Sequence, residues 1–310
     1  MTETPFATHL RGAAVTALFG GALALAGCGS SDGGSDSGST GTLSLGVTDA
    51  PVDSAQEVKV QFDAVEIKPA DGESRTINFD SAKSIDLLLQ QGKNSASLLD
   101  GEEVAAGDYN WIRLHITASQ AQPNASYIMI GDSQYILSIP SAAQTGLKLV
   151  SGFTVPENAG ADFTIDFDLR KSITKTGSGD YKLRPALRLV NNAEVGHIAA
   201  EVTDIQSCQN GDTDGPAIYV FEGGGVTPDD VDTSDDQDTD PVTTAKLTDD
   251  DTDGTYTGTA GFLTTGTYTV AFTCEAANDV SDADDNLTFE GSQDVNVQAD
   301  QTVTYSHTVN

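Results

Sequence analysis

The stretch EVKVQFDAVEIKP (57–69) alternates apolar and polar residues, and the same period of two recurs along most of the chain. It appears in TLSLGVTDAP (42–51), RTINFD (75–80), YNWIRLHITAS (109–119), SYIMIGD (126–132), QYILSIP (134–140), LKLVSGFTVP (147–156) and DFTIDFDLR (162–170). Successive side chains of a strand point to opposite faces, so this pattern buries one face and wets the other. Gly, Asn and Pro punctuate the segments as turn residues do, and no long helical period intervenes. The fold class is therefore all-β, of the sandwich type. Within 57–69, Val58, Val60 and Phe62 share one face, while Val65 and Ile67 follow in a changed phase. That slip reads as a β-bulge near Asp63-Ala64. KSIDLLLQQGKNSASLLDG (83–101) fits either a short helical turn or a buried strand at Leu87-Leu88-Leu89.

The amino terminus has a different character. AAVTALFGGALALAG (13–27) is a run of small apolar residues, shorter than the ~20 that span a bilayer and of signal-peptide length. It ends in Leu25-Ala26-Gly27-Cys28, which resembles the bacterial lipoprotein signal, or lipobox. The resemblance implies cleavage before Cys28 and diacylglyceryl attachment to its sulfur; an ordinary secretory signal with a chance cysteine is the alternative. Gly29 follows the cysteine, which in lipoproteins of this kind implies sorting to the outer membrane. Residues 29–41 form a Gly/Ser/Asp tether with a reach on the order of 20 Å. The organisation expected is a signal peptide (1–27), a lipidated Cys28 with its tether (28–41), and two tandem β-sandwich domains (42–196 and 197–310). Two other cysteines remain, Cys208 and Cys274. An even pair in an oxidising compartment suggests a disulfide, with two buried thiols as the alternative.

The formal net charge is −32, and it is unevenly spread: residues 197–310 hold 24 acids and one base, Lys246. Such a field excludes nucleic acid and anionic headgroups as direct ligands. It suits cations, basic partners or plain solubility in a salty medium.

Three groups of residues are candidates for chemistry or binding. In YNWIRLHIT, Ile112, Leu114 and Ile116 form a core side, leaving Tyr109, Trp111, Arg113 and His115 to face outward. An aromatic and cationic row of this kind suits stacking on a sugar ring, or packing beneath a neighbouring loop. In DFTIDFDLR, Asp162, Thr164, Asp166, Asp168 and Arg170 share one face; in YKLRPALRLV (181–190), Lys182, Arg184 and Arg188 share another. Paired as a hairpin, an acidic row would meet a basic one. Asp166 and Asp168, ~6.6 Å apart along a strand, also suit a calcium site or the carboxylate pair of a glycosidase. DDDTDG (249–254) carries the opening of an EF-hand loop in Asp249, Asp251, Asp253 and Gly254. The twelfth position is Ala260, where that loop requires a bidentate Glu, so a true EF-hand is excluded. Asp249, Asp251 and Asp253, joined by the acidic loop 228–240, remain candidate calcium ligands. No other cofactor is expected. There is no phosphate loop, nucleophile elbow or Cys/His metal spacing.

The phrases GTLSLGVTDAPVDSAQEVKVQFDAVEIKPADG, LLDGEEVAAGDYNWIRLHI, IPSAAQTGLKLVSGFTV and DFTIDFDLRKSIT…YKLRPALRLV resemble a bacterial and archaeal lipoprotein domain of unknown function, the family numbered 4382, over about 42–190. The resemblance implies an extracytoplasmic setting and carries over no catalytic residue. DGTYTGTAGFLTTGTYTVAFTC is similar to transthyretin-like modules of carboxypeptidase regulatory domains, through Gly254-Thr255-Tyr256 and Gly266-Thr267-Tyr268; it implies a spacer or binding module. Together these readings point to a non-enzymatic lipoprotein of the cell envelope, anchored in the outer membrane by its lipid. It would bind a glycan or a protein. The other readings are a carbohydrate hydrolase using Asp166 or Asp168, and a purely structural spacer.

Overall fold

The computed structural model describes residues 38–50, 55–118, 121–139, 146–177, 179–184, 186–205, 215–232, 239–281 and 283–309. The alternating segments become strands: β1 (Thr40–Ala50), β2 (Glu57–Pro69), β3 (Arg75–Asp86), β4 (Ala96–Ala105), β5 (Gly107–Thr117), β6 (Tyr127–Ile130) and β7 (Ser133–Ser138). β8 (Leu147–Leu149), β9 (Phe153–Val155), β10 (Gly160–Asp168), β11 (Ile173–Lys175), β12 (Tyr181–Leu183) and β13 (Ala186–Asn191) follow. The remainder forms β14 (Val195–Thr203), β15 (Ala217–Glu222), β16 (Thr243–Lys246), β17 (Thr255–Thr264), β18 (Gly266–Thr273), β19 (Glu290–Val297) and β20 (Thr302–Thr308). Helix among the described residues is confined to single turns such as Leu87–Leu89 and Leu169–Ser172.

Two sheets enclose the first core. One has the order β13-β10-β1-β4; the other runs β11-β12-β7-β6-β2-β5-β8, with β3 beside β2 and β9 beside β5. Leu43, Leu45 and Val47 of β1 and Ile165 and Phe167 of β10 join Val60, Phe62 and Ile67 of β2 and Ile112 of β5 in one apolar cluster. Each such side chain contributes roughly 1.5–3 kcal/mol on burial. The Phe62 and Phe167 rings meet edge-on across the two sheets, 6.1 Å apart. The register of β2 slips between Phe62 and Ala64 against both neighbours. This is the bulge expected from the phase change, and it turns Val65 and Ile67 back into the core. Leu87–Leu89 is a helical turn, with Leu87 buried and Leu89 68% exposed.

The second core lies between a sheet of order β17-β14-β20 and one of order β16-β15-β18-β19. It contains Ile198, Val202, Ile218, Val220, Val270, Phe272 and Tyr305. The two Gly-Thr-Tyr segments open β17 and β18, which lie in different sheets. β15 is buried on both faces. Tyr219 and Phe221 point outward into a further cluster with Val231, Ala276 and Phe289, because the segments before β16 and before β19 fold over that sheet.

The acidic and basic rows form one rung rather than a ladder. β10 pairs with β13 so that Asp166 faces Arg188, and the carboxylate and guanidinium are 2.6 Å apart. β12 instead leaves for the other sheet, where Lys182 faces Thr174 of β11. The cause is local: Asp168 caps the turn Leu169–Ser172, accepting a hydrogen bond from the Lys171 amide at 3.0 Å, so the strand ends there.

That turn carries Arg170 into the second pair of sheets. Its Nη1 donates to Tyr219 Oη (3.0 Å), to the Ala276 carbonyl (3.0 Å) and to Asp279 Oδ2 (3.1 Å). Lys171 follows with an ion pair to Asp240 at 3.0 Å. Nearby, the backbones of Gly92 and Gly261 approach so closely that a Cβ on Gly261 would lie 1.7 Å from the Gly92 carbonyl oxygen.

Candidate functional site

The row on β5 divides. Trp111, Arg113 and His115 alternate with buried Ile112, Leu114 and Ile116. Tyr109 does not share their face. It is 3% exposed, stacks on Phe153 at 4.8 Å and donates to the Ala105 carbonyl at 2.8 Å. A second register slip, opposite Lys68 and Pro69 of β2, reverses the alternation at this point. Burial raises the Tyr109 pKa, as expected for a phenol in a core.

The ring of Trp111 is already engaged by cations. The Arg113 guanidinium sits 4.6 Å from its centroid and the Lys148 ammonium 4.7 Å. Glu66 on β2 anchors the group, 2.7 Å from Arg113 and 3.1 Å from His115. Burial pushes the Glu66 carboxyl up, but hydrogen bonds from Ser74, Arg113 and His115 outweigh it and leave the pKa below its usual value. Arg113 is therefore tied by both charge and stacking. The face is a cluster of mutually paired polar and aromatic side chains that stays partly exposed, His115 at 37%. Glu66 and Lys148 were hidden in the sequence, since their neighbours come from two other strands.

A cleft of about 420 Å³ opens where β1 and β10 meet β16 and β17. Thr48, Asp49 and Asp166 line one side, Lys93 and Asn94 an adjoining loop, and Thr243 to Lys246 with Thr257 to Thr259 the other. Thr48 Oγ1 lies 2.7 Å from the Gln90 carbonyl and 2.8 Å from that of Asn94, which fixes the loop against β1. Lys93 reaches Thr302 Oγ1 at 2.8 Å. Thr244 is 4% exposed and its hydroxyl has no hydrogen-bond partner. Sequence reading missed this cleft because its walls come from segments about 200 residues apart.

Of the two strand carboxylates, Asp166 lines the cleft with its charge fixed on Arg188, whereas Asp168 is spent on the cap. Burial raises the Asp168 pKa to about 6, against the opposing pull of the Lys171 amide and charge.

Asp249, Asp251 and Asp253 do come together, each offering an oxygen within 4.8 Å of the others. They lie in an exposed turn: Asp249 accepts from the amides of Asp253 and Gly254, both at 3.1 Å, and Asp253 from that of Thr255 at 2.7 Å. Ala260, at the twelfth loop position, is buried in β17. Loop 228–241 contributes Asp230 to a different group, with Asp279 and Asp285. Burial and the charges of Asp279 and Asp229 raise the Asp230 pKa to about 6. Leu25, Ala26, Gly27, Cys28 and Cys208 lie outside the described residues, and with them the cleavage site, the lipidation site and one half of the expected Cys208–Cys274 pair. No described helix is long and apolar enough to cross a membrane.

Residues 40–185 match the family model described as a domain of unknown function, DUF4382. No curated protein matches the chain. Among solved structures it is similar to the Bacillus anthracis TIE protein, at 12% identity over 88% of this chain, with a TM-score of 0.19. The chain spans 34% of that protein's length. GBS52, the minor pilin of Streptococcus agalactiae, is 14% identical over 86% of this chain and 94% of its own, with a TM-score of 0.20. BcpA, the major pilin subunit of Bacillus cereus, is 12% identical over 87% of this chain and 99% of its own, at 0.19. Scores this low establish neither a common fold nor a common role.

Proposed function

We propose that the chain is a non-enzymatic binding module of the bacterial cell envelope, held to the outer membrane by lipid on Cys28, and that its ligand is a neutral glycan seated in the cleft between the two pairs of sheets. The observation that carries this reading is the composition of the cleft. Pockets for apolar ligands are lined mainly by hydrophobic side chains; this one is walled by threonines, Asn94, Gln91, Lys93, Lys246, Asp49 and Asp166, with Phe262 as its aromatic member. Lys93 and Lys246 stand beside Asp49 and Asp166 in a chain of net charge −32, and Lys246 is the one basic residue of 197–310. A cavity rich in donors and acceptors, walled by threonines and by side chains of both charges rather than one, matches a polyol better than a charged ligand. The buried, unpartnered hydroxyl of Thr244 supplies a hydrogen-bonding group that a ligand hydroxyl would satisfy.

The lipid anchor rests on the sequence of residues 13–28. Two or more acyl chains at ~0.8 kcal/mol per buried CH₂ hold a protein stably to a bilayer, and the tether would carry the sheets clear of the surface. Labelled palmitate fed to expressing bacteria should enter the chain, and Cys28→Ala should abolish both labelling and membrane recovery. For the ligand, the full-length chain should retain neutral oligosaccharides on a glycan array and ignore anionic ones. Retention of anionic glycans alone would oppose the proposed chemistry.

A further inference from the structure

We propose a divalent-cation site, of calcium type, formed by Asp230, Asp279 and Asp285 on the outer side of the β16-β15-β18-β19 sheet. Two segments distant in sequence bring these carboxylates together, the one before β16 giving Asp230 and the one before β19 giving Asp279 and Asp285, and one oxygen of each lies within 4.8 Å of the others. That spacing is about twice a Ca–O bond of ~2.4 Å, the most that two ligands of one calcium ion can be apart.

The second, independent observation is the state of Asp279. Its side chain is 0% exposed. Oδ2 is saturated, receiving Arg170 Nη1 at 3.1 Å, the Tyr219 hydroxyl, and the Val231 amide at 3.4 Å. Oδ1 is equally buried and has no hydrogen-bond partner among the described residues. A buried carboxylate oxygen left without a donor is among the costliest defects a protein can carry. The amides around it are already committed: that of Asp285 donates to Asp230 Oδ2 at 2.6 Å, and that of Val280 to Asp285 Oδ2 at 2.7 Å. A bound cation would meet that need.

Charge and ligand chemistry agree. The carboxylates outnumber the single guanidinium of Arg170, and a divalent ion offsets the excess negative charge. All three donors are hard oxygens, with no cysteine or histidine in the group, which excludes a soft-metal preference. Three protein carboxylates on irregular segments suit the flexible shell of calcium better than the strict octahedron of magnesium. Asp249, Asp251 and Asp253 match this spacing but lack any buried unsatisfied oxygen. They serve as the control.

The test is calorimetric titration of the metal-stripped full-length chain with calcium chloride, alongside thermal melts with calcium or chelator. One binding event and a rise in Tm of several degrees are expected. Asp230→Asn with Asp285→Asn should remove both; Asp249→Asn with Asp251→Asn should remove neither. Terbium offers a readout on the unaltered chain: its emission on tyrosine excitation should appear, since Tyr219 touches Asp279, and calcium should quench it. No heat and identical melts, or no terbium signal, would overturn the site. So would a calcium response that survives the first variant or disappears in the second.

Discussion

Arg170 and Asp279, 109 residues apart in the chain, form an ion pair at 3.1 Å in which the two side chains are 6% and 0% exposed. The arginine stands on a turn at the end of β10 and the aspartate on the cover of the β15 sheet, so this pair joins the two halves of the fold. Tyr219 and the Ala276 carbonyl share the same guanidinium nitrogen. Burial still raises the Asp279 pKa, with Arg170 and Tyr219 opposing it.

Removing one partner strands the other in a dry site. Arg170→Met should destabilise the chain by about 3–5 kcal/mol, the usual cost of breaking a buried pair from one side. Measured in chelator, so that no cation bound at Asp279 enters the comparison, Arg170→Met combined with Asp279→Leu should recover most of that loss. Urea midpoints of the single and double variants decide it; equal losses in both would show that the pair does not act as a unit.

The contact of Gly261 with the Gly92 carbonyl makes a sharper steric claim. Gly261→Ala should cost roughly 2–4 kcal/mol, since backbone must move to admit the methyl group. Gly177→Ala, where a Cβ meets nothing within 4 Å, should stay within about 0.5 kcal/mol of the parent. Thermal melts of the two variants measure the contrast.

The raised pKa of Asp168 fixes the sign of a pH effect. Its folded value is about 6, against ~3.9 in an unfolded chain. Between those values the native state holds a proton that the unfolded state has released. This contribution to stability is therefore greatest below about pH 4, falls as pH rises toward 6, and is flat above. Asp168→Asn keeps an acceptor for the Lys171 amide and removes the charge. The variant should exceed the parent by on the order of 1–3 kcal/mol at pH 7.5, with the gap closing near pH 4. A gap independent of pH would contradict the assignment.

Trp111 is the one tryptophan of the chain and reports on the Glu66 cluster without a label. Glu66→Gln releases Arg113 and His115 from their shared carboxylate, so the emission of Trp111 should shift and its accessibility to a neutral quencher should rise. Filling the cleft with ligand should leave that emission unchanged.

Much of the scaffold is legible in residue order, because local period determines it. The phase change after Phe62 marks the bulge of β2, and the alternating segments between residues 42 and 170 become strands. What escapes are consequences of pairing. Tyr109 turns inward because of a slip opposite Lys68 and Pro69, which its own strand does not announce. YKLRPALRLV reads as one strand but divides between two sheets, since Asp168 ends β10 with a cap. The cleft and the Asp230 group depend on residues brought together from distant segments, Asp230 and Asp285 being 55 positions apart, and in so acidic a chain no single aspartate stands out. Arg170 appeared as one member of a polar row, whereas its burial follows from the turn beneath it.

Retention of a neutral oligosaccharide by the full-length chain and two variants shows whether the cleft is the binding site. Asn94→Trp with Lys246→Glu obstructs the cleft and upsets its charge balance from exposed and half-buried positions; Trp111→Ala with Arg113→Ala dismantles the outer face of β5. The account expects binding to be lost in the first and kept in the second. Binding kept in the first and lost in the second would place the ligand on the Trp111 face and contradict it.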